Sequence, residues 1–101
     1  MQVSFVLRQF DASDDLKALI LDKIEKRFEK LAGPTSDARV TLTTEKAWTV
    51  MEVVVTTKGE VFKSTEKTTD LYPTIDVVLD KLERQLQKRK DMVHDRRTGR
   101  A

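Results

Sequence analysis

Basic residues at helical spacing mark the last third of the chain, where residues 70–90 read DLYPTIDVVLDKLERQLQKRK. At about 100° per residue, three basic side chains share one sector of the helix: Lys81, Arg84 and Lys88. Three acidic side chains share another sector: Asp76, Asp80 and Glu83. A helix whose charges serve only solubility tends to interleave opposite signs three or four residues apart. The sorting therefore favours a surface that binds a polyanion, and the alternative is a solvated face whose charges sort by chance.

A second helical segment, between Ser13 and Gly33, sorts its charges in the same way. Its basic edge holds four residues: Lys23, Lys26, Arg27 and Lys30. Its acidic side holds three: Asp22, Glu25 and Glu29. Each Lys or Arg that neutralises a phosphate releases counterions, so the two basic edges predict phosphate binding that weakens steeply with salt. Long basic side chains also bury their stems while their charges reach water, so part of each edge borders the core.

Groups that carry hydrolytic or redox chemistry are scarce in the sequence. His94 is the only histidine and cysteine is absent, so neither a catalytic triad nor a histidine-pair or thiolate metal site can be assembled. Gly33, Gly59 and Gly99 are too scattered for a loop that cradles phosphate. We therefore expect a protein that is not an enzyme and that uses no metal and no cofactor.

Charge is uneven along the 101 residues. Residues 1–80 hold 11 Lys or Arg against 14 Asp or Glu, whereas residues 81–101 hold 8 against 3. The basic character is therefore local, as expected when one surface meets phosphate. No apolar run approaches the roughly 18 residues of a membrane span, and Met1 leads directly into a strand-like segment. We expect a single cytoplasmic domain with no membrane partner, monomeric when free.

Apolar periodicity predicts six elements. Residues 2–8 alternate as a strand with one buried face, and a helix with one apolar stripe runs from the N-cap Ser13 to Gly33. Between residues 37 and 67 the period changes to two, which indicates three strands, and a closing helix starts near Asp70. Two short turns divide the three strands: Lys46-Ala47 and Lys58-Gly59.

The element order is therefore β-α-β-β-β-α. A strand, helix, strand opening normally forms a right-handed parallel crossover, and the two short turns form antiparallel hairpins. We predict an α+β fold in a single domain, with a mixed four-stranded sheet and two roughly parallel helices packed on one face. Residues 1–92 form this domain, and residues 93–101 form a short, basic, flexible tail.

The aromatic residues are assigned to packing and edge positions. Phe5 and Phe28 match core positions, Trp48 lies near a hairpin turn, and Tyr72 lies in the first turn of the closing helix. A platform for stacking bases usually needs exposed aromatics on adjacent strands. The pattern thus favours recognition of nucleic-acid shape and backbone over single-stranded sequence.

The closing helix closely resembles the signature helix of the bacterial ribosome hibernation promoting factors and the related ribosome-associated inhibitor A, in their short form. The residues that carry the resemblance are Asp70-Leu71-Tyr72, Ile75-Asp76, residues 80–86 and Lys88. Other parts of residues 1–92 resemble the same family: the opening strand with Arg8, Leu16, residues 23–26 of the first helix, and Glu45-Lys46.

The resemblance implies a stress or stationary-phase factor that binds the small ribosomal subunit between its head and body. There it occupies space needed by mRNA and by tRNA in the A and P sites, so that translation is silenced without chemical turnover. Six residues are implied as contacts of ribosomal RNA (rRNA): Arg8, Lys23, Lys26, Lys81, Arg84 and Lys88. Charge geometry alone adds three more: Arg27, Lys30 and Arg89.

Two other classes of protein are compatible with the same residues. A sheet with two helices on one face can present a basic surface to A-form backbone, as in a generic double-stranded-RNA-binding module. A protein-binding module could instead dock its partner on the exposed sheet face, with the charges serving only solubility.

Overall fold

The predicted order of elements is confirmed in a computed structural model, which describes the backbone of residues 1–98 and the side chains of residues 1–92. The elements are β1 (Gln2–Arg8), α1 (Asp14–Ala32), β2 (Asp37–Glu45), β3 (Trp48–Thr57), β4 (Glu60–Thr68) and α2 (Leu71–Thr98).

The four strands form one mixed sheet in the order β1-β2-β3-β4. β1 pairs with β2 in parallel, and the β2–β3 and β3–β4 pairs are antiparallel. The β3–β4 turn places Lys58 at φ 51° and Gly59 at φ 78°, the left-handed conformation that suits a two-residue hairpin turn. Both helices cover the same sheet face and contact each other. The predicted α+β architecture is therefore confirmed.

α1 begins and ends where its capping residues predict. The Ser13 hydroxyl accepts a hydrogen bond from the backbone N–H of Leu16 at 3.1 Å, which satisfies one free donor of the first turn. Gly33 ends the helix at φ 88° and donates its N–H to the carbonyl of Glu29 at 2.9 Å. The two caps therefore define the ends of α1 at Asp14 and Ala32.

α2 is longer than its sequence pattern predicts. Pro73 lies in its first turn, where no intrahelical N–H is needed, but the helix continues to Thr98 and so includes residues 93–98 of the predicted flexible tail. No glycine or proline lies between Pro73 and Gly99, and Gln87 donates to Asp91 one turn later at 3.0 Å. Residues 99–101 lie outside the described residues. Across residues 1–98, neither helix combines the length and apolar content that a membrane-spanning helix requires.

The core lies between the helices and the inner face of the sheet. α1 contributes Leu16, Ile20, Ile24, Phe28 and Ala32, and α2 contributes Ile75, Val78, Leu79, Leu82 and Leu86. The sheet contributes Ala38, Val40, Leu42, Met51, Val53 and Val55. β4 turns Phe62 toward this core and leaves Val61 66% exposed on the outer face. The outer face of the sheet, by contrast, is covered by no element of residues 1–98.

Two buried hydroxyls on the inner sheet face differ in their bonding. Thr57 Oγ1 donates to the carbonyl oxygen of Ala32 at 2.6 Å and so satisfies an acceptor at the end of α1. Ser64 Oγ is buried with no hydrogen-bond partner among the described residues. The two sites provide a matched comparison of buried polar groups.

We expect Thr57→Val to lower the free energy of unfolding by about 1 to 3 kcal/mol, because it removes the donor and leaves a carbonyl unsatisfied. Ser64→Ala should leave stability unchanged or raise it slightly, because it removes an unpaired hydroxyl. Urea denaturation of both variants measures the difference. Equal losses of stability would contradict the bonding described for Thr57 and Ser64.

Candidate nucleic-acid interface

The basic edge of α1 faces the acidic edge of α2. Lys23 Nζ lies 3.0 Å from Asp76 Oδ1. Arg27 contacts three carboxylates: Asp76 at 3.5 Å, Glu83 at 2.8 Å, and Asp80. From sequence alone, the sorted charges indicate a feature that binds a polyanion. The structure gives part of them another role, because the two parallel helices present opposite charges to each other.

The Arg27 guanidinium is the centre of this strip of ion pairs. Its side chain is only 25% exposed. Burial by itself lowers the pKa of Arg27, but hydrogen bonds to Asp80 and Glu83, together with their charges, outweigh burial and raise the pKa above its ordinary value. Arg27 is therefore held charged between the helices and is poorly placed to leave its partners for a phosphate.

Two basic residues of α2, Lys81 and Arg89, face the edge strand β4. Lys81 pairs with Glu66, and Arg89 pairs with Glu60. Between them, Gln85 Nε2 donates to the carbonyl oxygen of Lys63 at 2.9 Å. These contacts dock α2 on the sheet and occupy a carbonyl of an edge strand that would otherwise be open to another chain.

Four predicted contact residues remain on the outward side of the helix layer. Lys30, Arg84 and Lys88 are exposed and have no ion-pair partner among the side chains that the structure describes. Lys26 is 76% exposed and pairs only with Asp22, one turn earlier on α1, at 3.1 Å. Such exposed pairs contribute little and exchange readily for another anion. We name these four residues the helix-layer patch.

The ion pairs between the helices align the members of this patch. Arg27 contacts residues 53 and 56 positions later in the chain, Asp80 and Glu83. By the same offset, Lys30 is level with residues 83–86 of α2, a range that includes Arg84. The helix-layer patch therefore occupies the half of the helix layer that lies toward the end of α1.

Arg8 is not brought together with the helix-layer patch. It is exposed at the end of β1, where its alternation with the inward Leu7 places it on the outer face of the sheet. The nine predicted contact residues thus divide between two layers. Four lie in the helix-layer patch, Arg8 lies on the opposite face, and four hold ion pairs within the fold: Lys23, Arg27, Lys81 and Arg89.

The outer sheet face also holds residues that the sequence interpretation did not assign to a site. Trp48 is 43% exposed, and Lys67 Nζ lies 5.4 Å from the centroid of its ring and 3.7 Å from Glu45. The alternation of β3 indicated the exposure of Trp48, because Trp48 lies two residues from outward-facing Val50 and three from inward-facing Met51. The expected packing of this ring is therefore only partial.

Comparison with known proteins shows which family the chain belongs to. The family model described as Sigma 54 modulation protein / S30EA ribosomal protein matches residues 3–94. The ribosome hibernation promoting factor of Azotobacter vinelandii is 31% identical over 99 residues, which cover 98% of this chain and 92% of that protein.

Two solved structures share the fold. The N-terminal domain of Thermus thermophilus Protein Y has a TM-score of 0.77 at 22% identity, covering 87% of this chain and 98% of that one. A ribosomal subunit interface protein from Coxiella burnetii has a TM-score of 0.76 at 23% identity, covering 90% of this chain and 99% of that one. The chain therefore belongs to the Sigma 54 modulation protein / S30EA ribosomal protein family, which confirms the relationship to the hibernation promoting factors predicted from its closing helix.

Proposed function

We propose that this protein is a ribosome hibernation factor that binds the small ribosomal subunit in the cytoplasm and silences translation under stress or in stationary phase. The observation that carries the proposal is the helix-layer patch, in a chain 31% identical to a protein named ribosome hibernation promoting factor. Its basic groups point outward, and three of the four have no acidic partner among the described side chains. Such a surface matches a dense array of phosphates.

The mechanism is occlusion by a folded body held in place by charge. Lys and Arg side chains of the helix-layer patch neutralise rRNA phosphates, and the released counterions supply the binding free energy. The domain then occupies the space of mRNA and of tRNA in the A and P sites. No bond is made or broken, so this function needs neither a catalytic group nor a cofactor.

The nine predicted rRNA contacts have different roles in this proposal. The helix-layer patch binds phosphate directly, and Arg8 makes a separate contact from the outer sheet face. Lys23, Arg27, Lys81 and Arg89 act mainly by holding α1, α2 and β4 in register. These four side chains position the helices that carry the helix-layer patch, and they contribute less to phosphate binding themselves.

Occlusion needs one protein molecule per ribosome, so inhibition should be stoichiometric. Titration into a cell-free translation system should approach complete inhibition near equimolar ribosomes. Complete inhibition at a small fraction of the ribosome concentration would indicate turnover and contradict occlusion.

Replacing Lys30, Arg84 and Lys88 together with glutamine should weaken co-sedimentation with small subunits while stability stays within about 0.5 kcal/mol per site. Loss of three phosphate contacts should flatten the slope of log affinity against log salt by about 2 to 3. Lys58→Gln, in the exposed β3–β4 turn, is the control for loss of charge and should bind normally. An unchanged slope in the folded triple variant would refute the assignment of the patch.

Arg27→Gln should have the opposite profile. It leaves the Asp80 and Glu83 carboxylates of α2 without their cation at the contact between the helices. The free energy of unfolding should therefore fall by roughly 1 to 2 kcal/mol, between the values for exposed and buried pairs. At a temperature where the variant is folded, its salt slope should match that of the unaltered protein. A flattened slope at unchanged stability would place Arg27 in the binding surface instead.

Parallel binding to isolated duplex RNA separates the alternative functions. Co-sedimentation with small subunits at concentrations where duplex RNA is not bound supports the hibernation factor. Equal affinity for both would indicate a generic double-stranded-RNA-binding module, and binding to neither would indicate a protein-binding module.

A further inference from the structure

Trp48 is the one large aromatic on the outer face of the sheet within the described residues. The four phenylalanines belong to the core or pack against it: Phe5, Phe10, Phe28 and Phe62. Tyr72, the other exposed ring, lies on α2 in the opposite layer. Trp48 therefore contributes little to the core, although an indole can bury more apolar surface than any other side chain.

Basic residues lie at the same end of the sheet as this ring. The strand register places Arg8, Thr43, Val50 and Lys67 in one row across the outer face. Three strand spacings separate the two ends of the row, about 14 Å. Lys46 lies in the exposed turn beside Trp48. The carboxylate of Glu45 lies at this end of the sheet as well and contacts Lys67 at 3.7 Å.

We propose that this end of the outer face, formed by Trp48, Lys67 and Arg8 and named here the sheet-end site, binds an unpaired segment of small-subunit rRNA. One base stacks on the exposed part of the indole, and phosphates on either side meet Lys67 and Arg8. Every base has a π-face, so the contact is tolerant of sequence. Lys67 exchanges the exposed carboxylate of Glu45 for a phosphate at little cost, since their pair is open to solvent.

The proposal rests on the function proposed above and extends it to a second surface. The helix-layer patch and the sheet-end site lie on opposite layers of the domain. A protein that binds RNA on both layers fits between two RNA walls better than on a single RNA surface. The arrangement also explains why Arg8 is separated from the other predicted contacts.

The test uses the fact that Trp48 is the only tryptophan, so intrinsic fluorescence reports on this ring alone. Titration of the intact chain with a single-stranded oligoadenylate of about 12 nucleotides at low salt should quench the emission saturably, as expected for stacking of a base on the ring. Affinity is measured in parallel by anisotropy of the labelled oligonucleotide.

We expect Trp48→Ala to weaken oligonucleotide binding at least about five-fold, the lower end of the loss for one stacked base. Trp48→Phe should keep most of the affinity, because it retains a stacking surface, and it also serves if the alanine variant does not fold. Arg8→Gln and Lys67→Gln should each weaken binding. Val61→Ala, an exposed apolar residue at the other end of the same face, is the matched control and should bind normally.

Unchanged emission at saturation, or affinity equal to that of the unaltered chain in Trp48→Ala, would overturn the sheet-end site. Co-sedimentation with small subunits is scored separately. If the unaltered chain co-sediments but Trp48 does not respond to the oligonucleotide, only the sheet-end site fails. If Trp48 is quenched but the chain does not co-sediment, the ribosome-binding function fails and the sheet-end site stands as a site for single-stranded RNA.

Discussion

Two parallel helices on one sheet face must place one flank of each against the other, and the remaining surface of this protein depends on how those flanks are charged. α1 offers Lys23 and Arg27, and α2 offers its acidic sector. The ion pairs set the lengthwise alignment of the helices. They also occupy the α2 carboxylates, which would otherwise compete with phosphate for the basic side chains. On α2, Arg84 and Lys88 stay exposed, with no ion-pair partner among the side chains that the structure describes.

The same constraint separates stability from binding at the level of single residues. Arg27 is partly buried, charged and paired with carboxylates of α2, so its substitution should lower the free energy of unfolding. Lys30 is exposed and has no ion-pair partner among residues 1–92, so its substitution should lower the affinity for rRNA and leave stability unchanged. On the other flank of α2, Lys81 and Arg89 dock on β4, which is an edge strand and needs covering. A basic edge read along one helix therefore contains residues with different roles.

Much of the fold follows from local rules that a single sequence contains. Ser13 and Gly33 cap α1, the alternation of apolar residues assigns the sheet faces, and the residues of the closing helix identify the family. Pairing between helices is different, because a helical projection gives the flank of Arg27 but not the flank that faces it. The end of α2 was not predicted, because the apolar stripe does not mark it: among the side chains of residues 1–92, the last buried one in α2 is Leu86. The exposure of Trp48 could have been predicted from its parity with Val50.

A cryo-EM structure of this protein bound to the small ribosomal subunit would test most directly whether the helix-layer patch binds phosphate while Arg27 stays in its ion pairs. We expect Lys30, Arg84 and Lys88 to lie within ion-pair distance of rRNA phosphates, while Arg27 remains on Asp80 and Glu83. The domain should lie between the head and body of the subunit, across the mRNA path. A complex in which the helix-layer patch faces solvent, or in which Arg27 has left its carboxylates to bind phosphate, would contradict these expectations.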